Sequence, residues 1–235
     1  MTLAVRDTQL RELMDDPACD LSRLHATLRR FAVVNRLVSG WGAVYRSRVA
    51  PYLRGLGRPA RVLDLGCGGG DVIARLAALA RRDGLAAEWL GVDPDERALS
   101  VATRYAGSGI RFEATDSGAL RSRGDRFDLV LSNHVLHHLD PAAFAAFRDD
   151  SLALVQGPSG GVVLHGDIAR GHLAYGLYAV GITPLAPGSF LRTDGLRSIR
   201  RSYTAPELAA ALGPGWRVEQ PAPFRVLAVA EARHA

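Results

Sequence analysis

Lysine is absent from this 235-residue chain; all 29 basic residues are arginine. No Gly-Lys-Ser/Thr element can exist, so a Walker-type phosphate loop is excluded. Cysteine is nearly absent too. Cys19 and Cys67 lie far apart, which rules out a disulfide framework and a zinc-finger spacing. No apolar run reaches the roughly 18 residues of a membrane span, and Met1–Arg6 has no leader character. A cytoplasmic protein is expected. Apolar residues make up 48% of the chain, ample for one α/β domain with an added cap. The pI near 9.7 invites a nucleic-acid reading. The excess is local, however. Residues 1–58 carry ten arginines against five acids, and residues 59–235 carry nineteen of each sign. With alanine and glycine also abundant, the arginines reflect GC-rich coding, and a nucleic-acid partner is not expected.

The informative stretch is Arg61-Val62-Leu63-Asp64-Leu65-Gly66-Cys67-Gly68-Gly69-Gly70-Asp71. A β-forming run meets an acid, then a turn with almost no side chains, then an apolar helix over Val72–Leu79. Glycines allow positive φ and let a ligand approach bare backbone. The first N–H groups of the helix offer donors. A strand–turn–helix crossing of this kind holds an adenosine-type cofactor. It is not the dinucleotide fingerprint, whose third glycine would fall at Asp71. A carboxylate there would repel a pyrophosphate.

Three further segments follow in order: Glu88–Pro94 with Asp93 at a strand end, Ile110–Ala114 followed by Thr115-Asp116-Ser117, and Phe127–Leu139. Asp93 comes 27 residues after Gly66, one βαβ step, where an acid can accept both ribose hydroxyls. Over residues 60–168 these motifs resemble class I S-adenosylmethionine-dependent methyltransferases. The resemblance implies a Rossmann-like seven-stranded sheet of order 3-2-1-4-5-7-6 with its last strand antiparallel, and S-adenosyl-L-methionine as cofactor. It implies that Asp64 lies near the methionine ammonium, that Gly66, Gly68 and Gly70 pass under the adenosine, and that Asp116 meets the adenine amino group with Ser117 beside it. Cys67, Pro94, Thr115, Asn133 and His134 complete the implied cofactor-binding set. Cys67 has no redox or nucleophilic role in this reading.

Flanking this core, residues 1–58 read as a helical cap: Leu21, Leu24, Leu28, Phe31 and Val34 keep helical spacing, and a second helix runs from Trp41 to Leu53. Residues 59–235 form the cofactor-binding core. Within it, after the turn Gly157–Gly160 and a fifth strand over Gly161–Ile168, residues 169–203 break the alternation and read as a substrate lid. Thr204-Ala205-Pro206-Glu207 opens a capped helix. Trp216–Glu219 and Phe224–Ala230 read as the last strands.

Methyl transfer from a sulfonium needs orientation and a dry site, with a base only if the nucleophile must lose a proton. His134, His137 and His138 follow the fourth strand and are the candidate bases, on a stretch read as the start of a helix. Tyr45, His165, Tyr175, Tyr178 and Arg192 are the candidate acceptor contacts. Asn133-His134-Val135-Leu136 lacks the Pro-Pro-aromatic pattern of nucleic-acid amino-methylating enzymes. Ser132-Asn133 stands where catechol-type enzymes place a metal-binding acid, so no metal is expected. The expectation is O-methylation of a small, largely apolar phenol, quinol or polyketide-like hydroxyl, of the kind met in bacterial aromatic secondary metabolism. Aromatic C-methylation, RNA or protein methylation, and non-catalytic cofactor binding are the rivals. The oligomeric state stays open, a homodimer included.

Overall fold

The computed structural model describes residues 3–155 and 160–232; most of the turn expected at 157–160 lies outside them. An irregular segment of bends and turns precedes helix α1 (Leu21–Val38), which is capped by the Asp20 carboxylate accepting from the N–H groups of Ser22 and Arg23. Helix α2 (Trp41–Val44) runs through a π-helical turn, Tyr45–Val49, into α3 (Ala50–Gly55). There Ala50 N–H reaches back five residues to the Tyr45 carbonyl. The slip comes immediately before Pro51, which has no N–H to continue the ordinary ladder.

The core then alternates β1 (Ala60–Leu65), α4 (Asp71–Arg82), β2 (Ala87–Val92), α5 (Glu96–Ala102), β3 (Ile110–Glu113), α6 (Ser117–Ser122), β4 (Leu129–Asn133), α7 (Pro141–Val155) and β5 (Gly161–Ile168). Helices α8 (His172–Gly181), α9 (Leu191–Arg201) and α10 (Ala205–Leu212) follow, and then β6 (Trp216–Glu219) and β7 (Arg225–Ala232). The seven strands form one sheet in the order β3-β2-β1-β4-β5-β7-β6, with β7 antiparallel to both its neighbours. Thr204 and Glu207 form the expected capping box at α10.

Period-2 alternation divides the core between the two faces of the sheet. Val62, Leu129, Leu131 and Leu164 pack with Trp41, Tyr45, Val49, Ile73 and Leu76 of α2 to α4. Leu63, Leu65, Val130 and Val163 pack on the other face with Leu120, Leu154 and Val155 of α6 and α7. Parallel strands covered on both faces open only at their ends. The C-terminal ends of β1, β2 and β4 all meet under α1, α8 and α9, and that is where the site lies.

One expectation is corrected here. His137 and His138 do not start a helix. They sit on a short 3-10 turn, Leu136–His138, and the helix begins after it at Pro141.

Candidate functional site

Below the site, the turn after β1 is fixed by sterics. Gly66 has φ +68°, and a Cβ there would stand 2.7 Å from Val135. Gly70, at φ +74°, starts α4 against Phe112 and Ala102, both within 3.0 Å of where its Cβ would be. Each is a position for glycine alone. Asp93, past the end of β2, ties the turn down: its two carboxylate oxygens accept from Gly68 N–H and Asp95 N–H, both at 2.9 Å. Asp95, not Asp93, caps α5.

Asp64, Asp71 and Asp93 gather here. Burial, reinforced by Asp71 and Asp93, pushes the Asp64 carboxyl well above its usual range. Burial also raises Asp71, although Asn35 donates to it at 3.0 Å. Three crowded carboxylates suit a ligand carrying an ammonium and a sulfonium, and they oppose a phosphate. Burial likewise pushes the Cys67 thiol up, leaving it an inert small residue.

A cavity of about 900 Å³ rises from this turn. Asp64, Gly66, Cys67, Gly68, Asp93, Pro94 and Asn133 line it, as do His134, His137, His138 and Tyr178. Trp41 Nε1–H donates to Asn133 Oδ1 at 2.9 Å and so orients that amide. Above them Phe31, Val34, Leu37 and Val38 of α1 face Leu177 and Ile182 across the chamber. Asp194 of α9 accepts from the N–H groups of Leu13 and Met14, at 2.8 and 3.0 Å, and ties the N-terminal segment to the roof.

The remaining expected residues lie outside this lining. Tyr45 is buried in the core, its hydroxyl donating to Asp83 at 2.8 Å. His165 points away toward Phe147 and Trp216, with Nδ1 2.8 Å from Ser132 Oγ, and burial holds its pKa down at about 3. Asp116 accepts from Ala119 N–H as the cap of α6, and Ser117 donates to Asp150. Arg192 donates outward to the Ala179 carbonyl. Gly70, Thr115 and Tyr175 are not part of the cavity wall either.

The three histidines have separate environments. His134 has φ +61°, and its N–H donates to the Gly166 carbonyl at 2.9 Å. Burial and the neighbouring Arg225, whose Nη1–H donates to His134 Nε2 at 2.8 Å, hold its pKa well below the ordinary range. It stays neutral with that lone pair engaged. His137 is the opposite. Burial alone would lower its pKa, but Asp167 at 2.7 Å and Glu12 at 3.2 Å outweigh burial and raise it to about 9. In this environment it is an imidazolium at neutral pH, not a base. His138 Nδ1 lies 3.2 Å from Asp15, and its Nε2 lies 3.7 Å from Glu12.

Glu12, Asp15 and Arg225 therefore belong to the site without having been expected there. Glu12 and Asp15 stand in a segment with no periodicity and far from any motif. Arg225 looked like one more charge at a strand edge. Its burial, which lowers its pKa to about 10, is visible only in three dimensions.

Comparison with known proteins agrees with the fold. Residues 62–156 match a family model described as a methyltransferase domain. Over residues 62–156 the chain carries this methyltransferase domain, set in a sheet of the order expected for class I S-adenosylmethionine-dependent methyltransferases. A ubiquinone biosynthesis O-methyltransferase of Sinorhizobium medicae is 33% identical over 134 residues, 55% of this chain and 49% of that protein. Its counterpart in Dinoroseobacter shibae is 32% identical over 147 residues, covering 59% and 55%. The chain thus spans about half the length of these curated relatives. The plantazolicin methyltransferase BpumL, solved with a monoazolic desmethylPZN analogue and SAH, superposes with a TM-score of 0.61 at 12% identity, covering 92% of this chain and 96% of that one. Human N-acetylserotonin methyltransferase, solved with S-adenosylmethionine, gives 0.64 at 13% identity, covering 92% and 57%. At such identities the methyltransferase domain shares a fold with them and no more.

Proposed function

We propose that this methyltransferase transfers the methyl group of S-adenosylmethionine to an oxygen of a small, largely apolar acceptor of the phenol or quinol type. The observation that carries the reading is the chamber. It is continuous from the glycine turn to an aliphatic roof, and its mouth is rimmed by exposed Leu37, Leu177 and Phe224. Burying an apolar ring and chain there is favourable by about 0.8 kcal/mol per CH₂. The reading fits the relatives that act as ubiquinone biosynthesis O-methyltransferases.

The cofactor supplies the activated methyl. Asp64 faces its ammonium, Asp93 its ribose, and the backbone of 66–69 its adenosine. The residues above hold the acceptor, exclude water and set the line of attack. Arg225, beside the rim at Phe224, lines the cavity and would pair with an acceptor oxygen that has given up its proton.

Arg6, Arg23 and Arg30 of the N-terminal segment are engaged by backbone carbonyls of the same chain, which counts against an RNA acceptor. Arg23 donates to the Ser189 carbonyl at 3.1 Å, and Arg30 to Leu185 and Pro187 at 3.0 and 2.6 Å. Arg6 donates to the carbonyls of Arg201, His137 and Leu139. These arginines clamp the segment to the lid. Among the described residues no helix is long and apolar enough to cross a membrane.

The test is incubation with S-adenosylmethionine and a panel of phenols and quinols, with products read by mass spectrometry and NMR. Methyl ethers are expected. Methylation at ring carbon, or transfer to RNA with the phenols untouched, would replace the reading.

A further inference from the structure

We propose that Glu12, His137 and His138 hold a divalent transition-metal ion, Zn²⁺ or a chemically similar ion, on the acceptor side of the cavity. The binding site stands on its own geometry; its part in methyl transfer rests on the function proposed above.

The donor set is two imidazole nitrogens and one carboxylate oxygen, all within 4.8 Å of one another. Glu12 Oε1 lies 3.2 Å from His137 Nε2 and 3.7 Å from His138 Nε2. Ligand atoms around a tetrahedral ion with bonds of about 2.0–2.1 Å stand roughly 3.3 Å apart, so this spacing leaves room for an ion. His137 Nε2 is the second indication. The residue is 1% exposed, and this nitrogen is aimed at Glu12 and has no other partner.

What stands behind the imidazoles points the same way. A metal-ligating histidine normally gives its other nitrogen to a carboxylate or carbonyl, which fixes the ring and its tautomer. Here both rings have one. His137 Nδ1 lies 2.7 Å from Asp167, and His138 Nδ1 lies 3.2 Å from Asp15. Asp167 Oδ2 also accepts from His137 N–H at 3.0 Å. Glu12 Oε1 is itself oriented by Ser198 Oγ–H at 2.8 Å. Arg201 lies 3.2 Å from Asp15 and 3.7 Å from Glu12, and only partly offsets the three carboxylates.

Glu12, His137 and His138 all line the chamber, so an acceptor oxygen entering it would be within reach of the ion's remaining position. An ion there would favour the oxygen anion. The acceptor's proton passes to water and its oxygen pair forms the bond to the methyl carbon. The carbon–sulfur pair stays on sulfur, giving neutral S-adenosylhomocysteine. This departs from the expectation of a metal-free site, which rested on Ser132-Asn133 and did not consider Glu12, 125 residues before His137 in the chain.

The experiment is titration of tag-free, metal-depleted full-length protein with Co²⁺ and then Zn²⁺. It is followed by the visible Co²⁺ spectrum and by calorimetry, with S-adenosylhomocysteine affinity measured in every variant as the check on folding. One ion per chain is expected, lost in Glu12→Gln and in His138→Ala. In Asp15→Asn the ion should bind about tenfold more weakly. No Co²⁺ spectrum from folded protein would overturn the proposal, as would a spectrum that survives both ligand variants. Methyl transfer undiminished after chelation would overturn the ion's part in the reaction and leave the proposed function standing. A bound ion with no phenol methylated would do the reverse.

Discussion

The floor and the roof of the cavity are built from different materials. The floor is backbone and carboxylate: Gly66 to Gly69 with Asp64 and Asp93, set by strand ends and a steric requirement for glycine. The roof is side chain: aliphatic residues of α1 and α8, joined by single hydrogen bonds between distant segments. A floor of this kind fixes one ligand, because its charges and donors cannot be rearranged without rebuilding the sheet. A roof of this kind sets size and polarity and can be altered one side chain at a time. The comparison separates what every substrate of the enzyme shares from what distinguishes them.

Asp93→Ala should give the largest departure on the floor. It removes a charged acceptor from the ribose side and from Gly68 N–H, so S-adenosylhomocysteine affinity should fall by roughly 10- to 100-fold, measured by calorimetry. An unchanged affinity would mean that the ribose lies elsewhere. Thr27→Val probes the roof. Thr27 Oγ1 accepts from Phe190 N–H at 2.8 Å and donates to the Arg23 carbonyl, fastening α1 to the lid. Leaving that buried N–H unpaired should cost about 1–3 kcal/mol in urea unfolding. It should disturb acceptor KM before cofactor affinity; the reverse order would mean that floor and roof are not separable.

The smallest effect concerns pH. Burial alone would raise the Glu207 carboxyl, but the Arg170 pair outweighs it and lowers the pKa from 4.5 to about 2. Arg170 also donates to the carbonyls of Leu3 and Ser202. A depressed carboxylate stabilises the fold above its unfolded pKa, and the contribution is lost as pH falls from about 4.5 toward 2. Thermal unfolding of Glu207→Gln should show a shallower acid limb than the parent chain. Identical limbs would remove Glu207 from the fastening of the roof.

The same division explains what could be read in advance. The strands themselves, the glycine turn and the Thr204 capping box follow from short-range rules: apolar β-forming runs, positive φ and a hydroxyl three residues before a glutamate; the order of the strands was implied by the family resemblance. Asp64, Asp93 and Asn133 were legible because each ends a strand, and strand ends converge in this fold. Tyr45 and His165 read as acceptor contacts because their types suited the chemistry, yet α2 to α4 bury the first and strand alternation turns the second to the far face. Glu12, Asp15 and Arg225 were hidden for the complementary reason. Their positions depend on contacts between residues more than 90 apart, such as Arg225 with His134 and Glu12 with Ser198. No local pattern records such contacts.

The bond from Asp194 to Leu13 and Met14 spans 180 residues or more, and the Arg200–Asp7 pair spans 193. Loop closure over such lengths comes late in folding. On a ribosome the early segment must therefore wait, its apolar face uncovered, until nearly the whole chain has emerged. The glycine turn can assemble well before that. The protein should pass through a stage in which it can already hold its cofactor but has no chamber in which to use it.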